Sequence, residues 1–392
     1  MTSPTRQFLA PMRARSADEP HRVATPLELF FDLCFVVAVA QAALPLHHSI
    51  SEHHVGHGLY GYLTVFFAIW WAWMNFTWFA SAYDTDDDVY RITTLVQIGG
   101  ALVLAAGVEA AFERTDFLVI TIGYVIMRLA LVSQWLRAAR SDAPRRLTAY
   151  RYAIGVTAVQ VLWLLRLLIP HDSPWITPAF VALALLELAV PVWAEAAPGG
   201  PTTYHPHHIT ERYGLFTIIV LGEAVLSATV AFQSAFDEGE HEAELISLAV
   251  SAIVVVFALW WLYFDRSAHH LITRLRTSLM WGYGHYFIFA AAAAVGAGIG
   301  VNVDYVTHHA EISGRPAAYA IAVPVAVYLF FVWLLHIRPH QSGPLLLVYP
   351  AFVVLCLLTP LVPGPVEVLA VLLVVLVAIT MTLGRRVPDR IG

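Results

Sequence analysis

The stretch His207–Phe232, HHITERYGLFTIIVLGEAVLSATVAF, decides how the chain is read. From Tyr213 onward its residues are apolar or small over a length that crosses the hydrocarbon of a bilayer, for which about 20 residues suffice. Yet it opens with His207, His208, Glu211 and Arg212, and Glu223 stands in its middle. A charged group at the centre of a membrane helix costs at least about 2.5–3.5 kcal/mol, so it faces a partner or a polar cavity and points to function.

The rest of the chain has the same character. Of 392 residues, 59% are hydrophobic and 13% charged, and the mean hydropathy is +0.68. Soluble domains carry about 25% charged residues, so composition alone places the chain in the membrane class. All 22 basic residues are arginines, and the net charge of −6 gives no basic surface for nucleic acid. Cys34 and Cys356 lie in apolar runs and imply no disulfide framework. The N-terminal stretch has no small-residue cleavage site after its arginines, so it reads as a basic tail rather than a signal peptide.

Twelve apolar segments are expected to span the bilayer, at 26–46, 59–82, 90–111, 117–137, 147–169, 175–195, 209–233, 244–264, 278–301, 316–337, 343–361 and 365–384. Arginine bias orients them. With the N-terminus inside, the cytoplasmic segments hold 18 arginines, the outer loops hold Arg114 and Arg315, and Arg128 and Arg166 fall within spans. The expected organisation is a basic cytoplasmic tail at 1–22, a first six-helix half at 23–195, a cytoplasmic linker at 196–208, a second half at 209–385 and a cytoplasmic tail at 386–392. The halves share weak motifs in the same order: LELFFDL and ITERYGLF, FFAIWWAWMNF and VVFALWWLYFD, and Arg91 before Gly99 as Arg276 before Gly284. An even number of helices per half makes these parallel repeats.

The charged groups inside the spans are the candidate ion or substrate path: Glu28, Asp32, Arg128, Glu187, Glu211, Arg212 and Glu223, with His208 one turn before Glu211. Glu28 and Asp32, four residues apart, share a helix face. Sheltered together they repel, which a proton or a bound cation relieves. Thr25-Pro26-Leu27-Glu28 also fits a capping box with proline at the first helical position, a purely structural use of Glu28. Glu223 is central, with Gly222 beside it for close backbone approach. Its compensating partner is expected on another helix, Arg128 and Asp32 being candidates. Arg128 pairs equally well with Glu187 on this reading. Arg166, near an outer helix end, is expected to snorkel.

Histidines cluster in the expected loops. His47, His48, His53, His54 and His57 in HHSISEHHVGH hold a metal at best loosely, because no fixed ligand spacing accompanies them. A solvated loop is the favoured reading, as it is for the acidic run DTDDD at Asp84–Asp88. Neither a phosphate-cradling glycine loop nor a nucleophile motif is present. No cofactor is expected, and the expected partners are the lipid bilayer and an unknown small ion or solute.

ELFFDLCFVVAVAQAA in the first helix and HHITERYGLFTIIVLGEAVL in the seventh resemble the bacterial low-temperature-requirement A family of integral membrane proteins, over residues 22 to about 385. The motif H-x-x-E-R-x-G-L-x-x-I-I-x-L-G-E runs from His208 to Glu223. The resemblance implies a multi-pass protein of the bacterial inner membrane and links His208, Glu211, Arg212, Gly214, Gly222 and Glu223 as one unit. The family name records a growth phenotype in the cold and implies no activity, ligand or cofactor. Phe30-Phe31-Asp32 is also similar to the Phe-Ser-Asp of a family of cation channels built from six-helix units, although the seventh helix lacks such a motif. The expected function is a transporter or channel for a proton, cation or small solute. The alternative is an integral-membrane enzyme or envelope scaffold.

Overall fold

The computed structural model describes residues 7–17, 19, 22–170, 172–237, 239, 241–266, 268–272, 274–339 and 343–384. Among them the chain forms twelve helical segments and no strand. These are α1 Pro26–Ser51, α2 Val55–Tyr83, α3 Asp88–Arg114, α4 Leu118–Ser141, α5 Arg146–Arg166, α6 Ile176–Glu195, α7 Pro206–Asp237, α8 Glu242–Phe264, α9 Leu275–Val306, α10 Gly314–Ile337, α11 Leu345–Leu361 and α12 Pro365–Gly384. Each coincides with one expected span. Ten of them, all but α5 and α11, are long and apolar enough to cross a membrane by length and composition. They leave many large apolar side chains exposed, among them Leu129, Ile154, Leu185, Phe257 and Val371, while Glu28, Asp32, Arg128, Glu187 and Arg212 are buried. That inversion suits a lipid surround, where every backbone group is satisfied inside its own helix.

The helices fall into two compact units. One comprises 1–42 and 64–215, the other 43–63 and 216–392, so α1, α2 and α7 each contribute to both. In the first unit α3 and α4 pack closely. A Cβ at Gly123 would fall against the backbone of Leu104 and Gly100, so only glycine permits this approach. Gly107 interrupts α3 between Ala106 and Val108, and its own Cβ would meet the Ile120 nitrogen at 2.7 Å. The polar loop between α2 and α3 is ordered by Asp87, which caps α3 by accepting from the Tyr90 nitrogen (2.7 Å) and also receives Arg137 Nη2 (2.6 Å). Tyr83 donates to Asp142 (2.9 Å) and Tyr152 to Glu195 (2.6 Å), fixing the helix ends.

In the second unit α9 presents the continuous buried run Phe289–Val303. Its small residues bring α10 so close that a Cβ at Gly298 would fall on the carbonyl of Ala320. Asn302 Nδ2 donates to Gly298 O (2.7 Å) and across to Ala317 O (2.8 Å), closing the pair. The last turns of α1 meet the end of α9, where His47 Nε2 lies 2.7 Å from Asp304 Oδ2 and Ser51 Oγ donates to the same oxygen at 2.7 Å. The helix α10 ends in a π turn, Trp333–Ile337.

The tryptophan pairs behind the expected repeat have different surroundings. Trp70 and Trp71 are buried, whereas Trp260 is 44% and Trp261 40% exposed.

Candidate functional site

The first unit gathers Arg22, Glu28, Asp32, Asp84, His208 and Arg212, all buried. The capping box forms as the sequence predicts. The Thr25 nitrogen donates to Glu28 Oε2 (2.7 Å), and the Glu28 nitrogen donates to Thr25 Oγ1 (3.3 Å). This cap occupies Oε2 and turns Oε1 toward the seventh helix, so the structural and electrostatic uses of Glu28 coexist.

Arg212 joins the two carboxylates of α1. It binds Asp32 through two nitrogens, Nη2 to Oδ1 at 2.6 Å and Nε to Oδ2 at 3.0 Å, and places Nη1 3.1 Å from Glu28 Oε1. Trp73 Nε1 adds a third donor to Asp32 at 2.6 Å. This planar two-point geometry is what a guanidinium does and a lysine ammonium cannot. The expected repulsion between Glu28 and Asp32 is therefore relieved by an arginine of the chain itself.

Two further basic side chains approach Glu28 Oε1. His208 Nε2 stands at 3.1 Å and Arg22 Nη2 at 3.5 Å. Arg22 Nη2 is also 3.5 Å from Asp84 Oδ2. Among the described residues, Glu28 Oε1, His208 Nε2, His208 Nδ1 and Arg212 Nη1 are buried without a properly aligned hydrogen bond, although charges crowd them. His208 is a helical residue, not the loop residue expected. Pro206 starts α7 early, which stacks His208 one turn below Arg212 on the same face.

Asp84 shows that DTDDD is not a uniformly solvated loop. Asp84 and Asp87 are buried, while Asp86 is exposed and pairs with Arg91 at 2.6 Å. Burial, reinforced by the negative charge of Glu28, pushes the Asp84 carboxyl up to about 6 against the pull of Arg22. The sequence signal for Asp87 was available, since an aspartate just before an apolar run is a good N-cap. Nothing local marked Asp84 or Arg22 as members of the cluster. Glu211 stays at the margin, half-buried, accepting from the Ala24 nitrogen at 3.2 Å.

The open choice for Arg128 is resolved in the same unit. Arg128 Nη2 donates to Glu187 Oε2. Glu187 also receives Trp71 Nε1 (2.8 Å), Tyr124 OH (2.8 Å) and Trp163 Nε1 (3.2 Å). With both oxygens occupied from α2, α4 and α5, this carboxylate is a cross-brace between helices. Arg166 does not snorkel. It is buried, with its guanidinium 5.0 Å from the Phe117 ring centre, 5.8 Å from Trp163 and 5.6 Å from Phe180.

Two expectations for α7 need correction. Glu223, in the second unit, is half-buried and accepts from Ser227 Oγ on its own helix at 2.9 Å, while Arg128 and Arg212 serve other carboxylates. The partner is the Ser227 hydroxyl, one turn on along the same helix, rather than a group of another helix. Gly222 does not mediate a close approach, since a Cβ there would meet nothing within 4 Å.

The five histidines near the first turn are spread over two helices and the turn between them. The helix α1 runs on to Ser51, which puts His47 and His48 on its last turns and His47 against Asp304. His53 occupies the left-handed turn (φ 64°), and His57 begins α2. Among the described residues no group of three or more His, Cys, Asp or Glu side chains is placed to hold a metal ion.

The model of the bacterial low temperature requirement A protein family (LtrA) matches residues 23–383. The chain is also similar to an uncharacterized protein of Rhizobium meliloti (strain 1021), at 28% identity over 242 residues. That match covers 60% of this chain and 57% of the relative, so the chain spans little more than half the length of the curated relative it matches.

Proposed function

The chain belongs to the bacterial low temperature requirement A family, and from that premise we propose that this multi-pass membrane protein is a transporter or channel of the inner membrane, with both termini cytoplasmic, in which proton binding at the Arg212 cluster is coupled to movement of a cation or small solute. One observation supports this most. Three buried carboxylates, Glu28, Asp32 and Asp84, stand against two buried arginines, Arg22 and Arg212, with the buried His208 at ion-pair distance from Glu28. A buried group of that kind is stable when its charges balance; Arg15, which reaches Asp84 at 3.9 Å, is itself paired with Glu19 at 2.6 Å, so balance among the buried groups requires one proton, held by His208 or by Asp84. Taking up or releasing that proton changes how firmly the start of α1 is held to the start of α7. That is a local event with two distinct ion-pair patterns, the kind of element a coupled transporter needs. The carboxylates of α1 are tied to arginine, so a bare cation chain along Glu28 and Asp32 is the less favoured mechanism.

Glu223 keeps a separate role in this proposal as a carboxylate on the second part of α7 that loads from a polar path. The competing reading, an envelope scaffold, uses the same ion pairs only as braces. Proteoliposomes separate the two. Wild-type protein dissipates an imposed pH gradient, or moves a monovalent cation against it, and His208→Asn keeps the fold while losing flux or its pH dependence. Flux equal to that of empty vesicles across protons, monovalent cations and small solutes removes the transport reading. Reporter fusions at His54 and Arg146 test the orientation and should report opposite sides, outside and inside.

A further inference from the structure

The second unit holds a cluster that no motif marked. His285 of α9, His336 of α10 and Tyr263 of α8 are buried together, 3.1 Å separating Tyr263 OH from His285 Nε2 and 3.3 Å separating the two Nε2 atoms. We propose that His285 and His336 form an intramembrane proton-binding site, a single proton being shared over both rings with the Tyr263 hydroxyl as its third member.

The tautomers follow from the neighbours. His285 Nδ1 lies 2.7 Å from the carbonyl oxygen of Trp281, which only accepts, so Nδ1 carries a hydrogen. In the neutral ring Nε2 is then an acceptor. Two acceptor nitrogens facing each other at 3.3 Å would repel, so His336 is the donor and its Nε2–H points at His285. The acceptor nitrogen of His336 is then Nδ1, which takes the incoming proton. As it does so, the bridging hydrogen shifts toward His285 Nε2, and the positive charge spreads over both imidazoles. No other bond forms or breaks, and release reverses the same steps.

Among the described residues no carboxylate touches the cluster, so one positive charge there is met by delocalisation over the two rings and by the aromatic groups beside them. The Trp281 indole lies nearly parallel to His336, at 12° and 5.9 Å between centres, and is tilted by 51° against the His285 ring at 4.0 Å, so one indole flanks both imidazoles. The other titratable groups facing the cluster are tyrosines: Tyr263 itself, Tyr328 of α10, which donates to Leu259 O at 3.1 Å, and Tyr349 of α11. Asp265 and Arg266 stand beyond Tyr349, and α7 supplies the uncharged Thr217, which bonds Tyr263. With neutral partners in the first layer, a proton adds a single charge where a divalent metal would add two. The π turn Trp333–Ile337 carries His336, and such turns recur at functional sites because they re-aim one side chain without ending the helix. Trp281 and His285 are one turn apart and face it together.

The site rests on the second unit's own geometry, and its test does not depend on flux. Full-length protein in lipid nanodiscs, labelled with ring-¹⁵N histidine, is titrated by NMR, and the two rings are assigned by difference from His336→Gln and His285→Gln. The expected result is one titration shared by both rings between about pH 5 and 8. The Tyr263→Phe variant moves that midpoint, and His336→Gln lowers the proton affinity of His285 about tenfold, one pH unit. If both rings stay neutral across that range, or titrate independently with Tyr263→Phe indistinguishable from wild type, the proposal is overturned. Stoichiometric zinc or copper in the purified protein by elemental analysis also overturns it, in favour of a metal site. Tyr263→Phe carries the test even where a histidine variant fails to fold.

Discussion

Replacing Arg212 by Gln is the sharpest perturbation of the candidate site. Asp32 would lose both of its arginine donors, at 2.6 and 3.0 Å, and keep Trp73 Nε1; Glu28 Oε1 would lose the nearer of its arginines and keep Arg22 at 3.5 Å and His208 at 3.1 Å. Removing one partner of a buried pair costs about 3–5 kcal/mol, because the remaining charge stays desolvated. Glutamine restores at most one hydrogen bond, worth about 0.5–1.5 kcal/mol. The net loss for Arg212→Gln is therefore about 2–4 kcal/mol. Asp32→Asn alone keeps a side-chain acceptor for Trp73 and leaves Arg212 beside Glu28, so it costs less, about 1–3 kcal/mol. In the double variant no carboxylate remains at position 32 to be left unpaired, and the two losses do not add. The interaction between them should be about 1–3 kcal/mol in magnitude. Reversible denaturant unfolding in mixed micelles, followed by tryptophan emission, measures the cycle. Arg212→Gln at wild-type stability, or losses that add within about 0.5 kcal/mol, would refute the pairing.

Three further outcomes follow from particular contacts. For Asp84, the native carboxyl stands at about 6 against an ordinary 3.8; the native state binds the proton more tightly, so its stabilising effect is full below pH 4 and is lost as pH rises toward 6. A slope of at most about 3 kcal/mol over that window follows, and Asp84→Asn should flatten it in unfolding measured from pH 4 to 7. Glu187→Gln should destabilise by about 3–5 kcal/mol by stranding Arg128, and adding Arg128→Met should recover most of it, thermal unfolding in detergent ranking the three proteins. Glu223→Gln keeps the Ser227 contact and should shift stability by no more than about 0.5–1 kcal/mol; a larger loss in the same thermal assay would reveal a charge partner other than Ser227.

How much of this was legible beforehand depended on the range of the interaction. Glu28 and Asp32 announced themselves because a charged pair at i and i+4 in an apolar run has few explanations, and the Thr25–Glu28 cap was readable because its partners are three residues apart. Arg212 was visible as a charge at a helix start. That it clamps both acids was not, since the pairing crosses some 180 residues and any of several arginines satisfies the same local pattern. Asp84 looked like one of many loop acids until burial singled it out. Glu223 misled for the opposite reason: its depth pointed to a partner on another helix, whereas the contact comes from Ser227, one turn on along the same helix. Tyr263, His285 and His336 gave no joint signal, being single polar residues on three helices.

By itself the sequence determined the class and the count of helices, because hydrophobic length, proline and glycine breaks and arginine bias are local properties that a bilayer reads one segment at a time. It determined family membership too, through the contiguous motif from His208 to Glu223. Only the tertiary structure decided the pairing: Arg128 with Glu187, Arg212 with Asp32 and Glu28, His285 with His336. Inside a membrane each buried charge needs a partner, yet many partners are equivalent in sequence. The choice among them is made by packing, as when glycines such as Gly123 and Gly298 let backbones close in or a helix begins early enough to turn His208 inward.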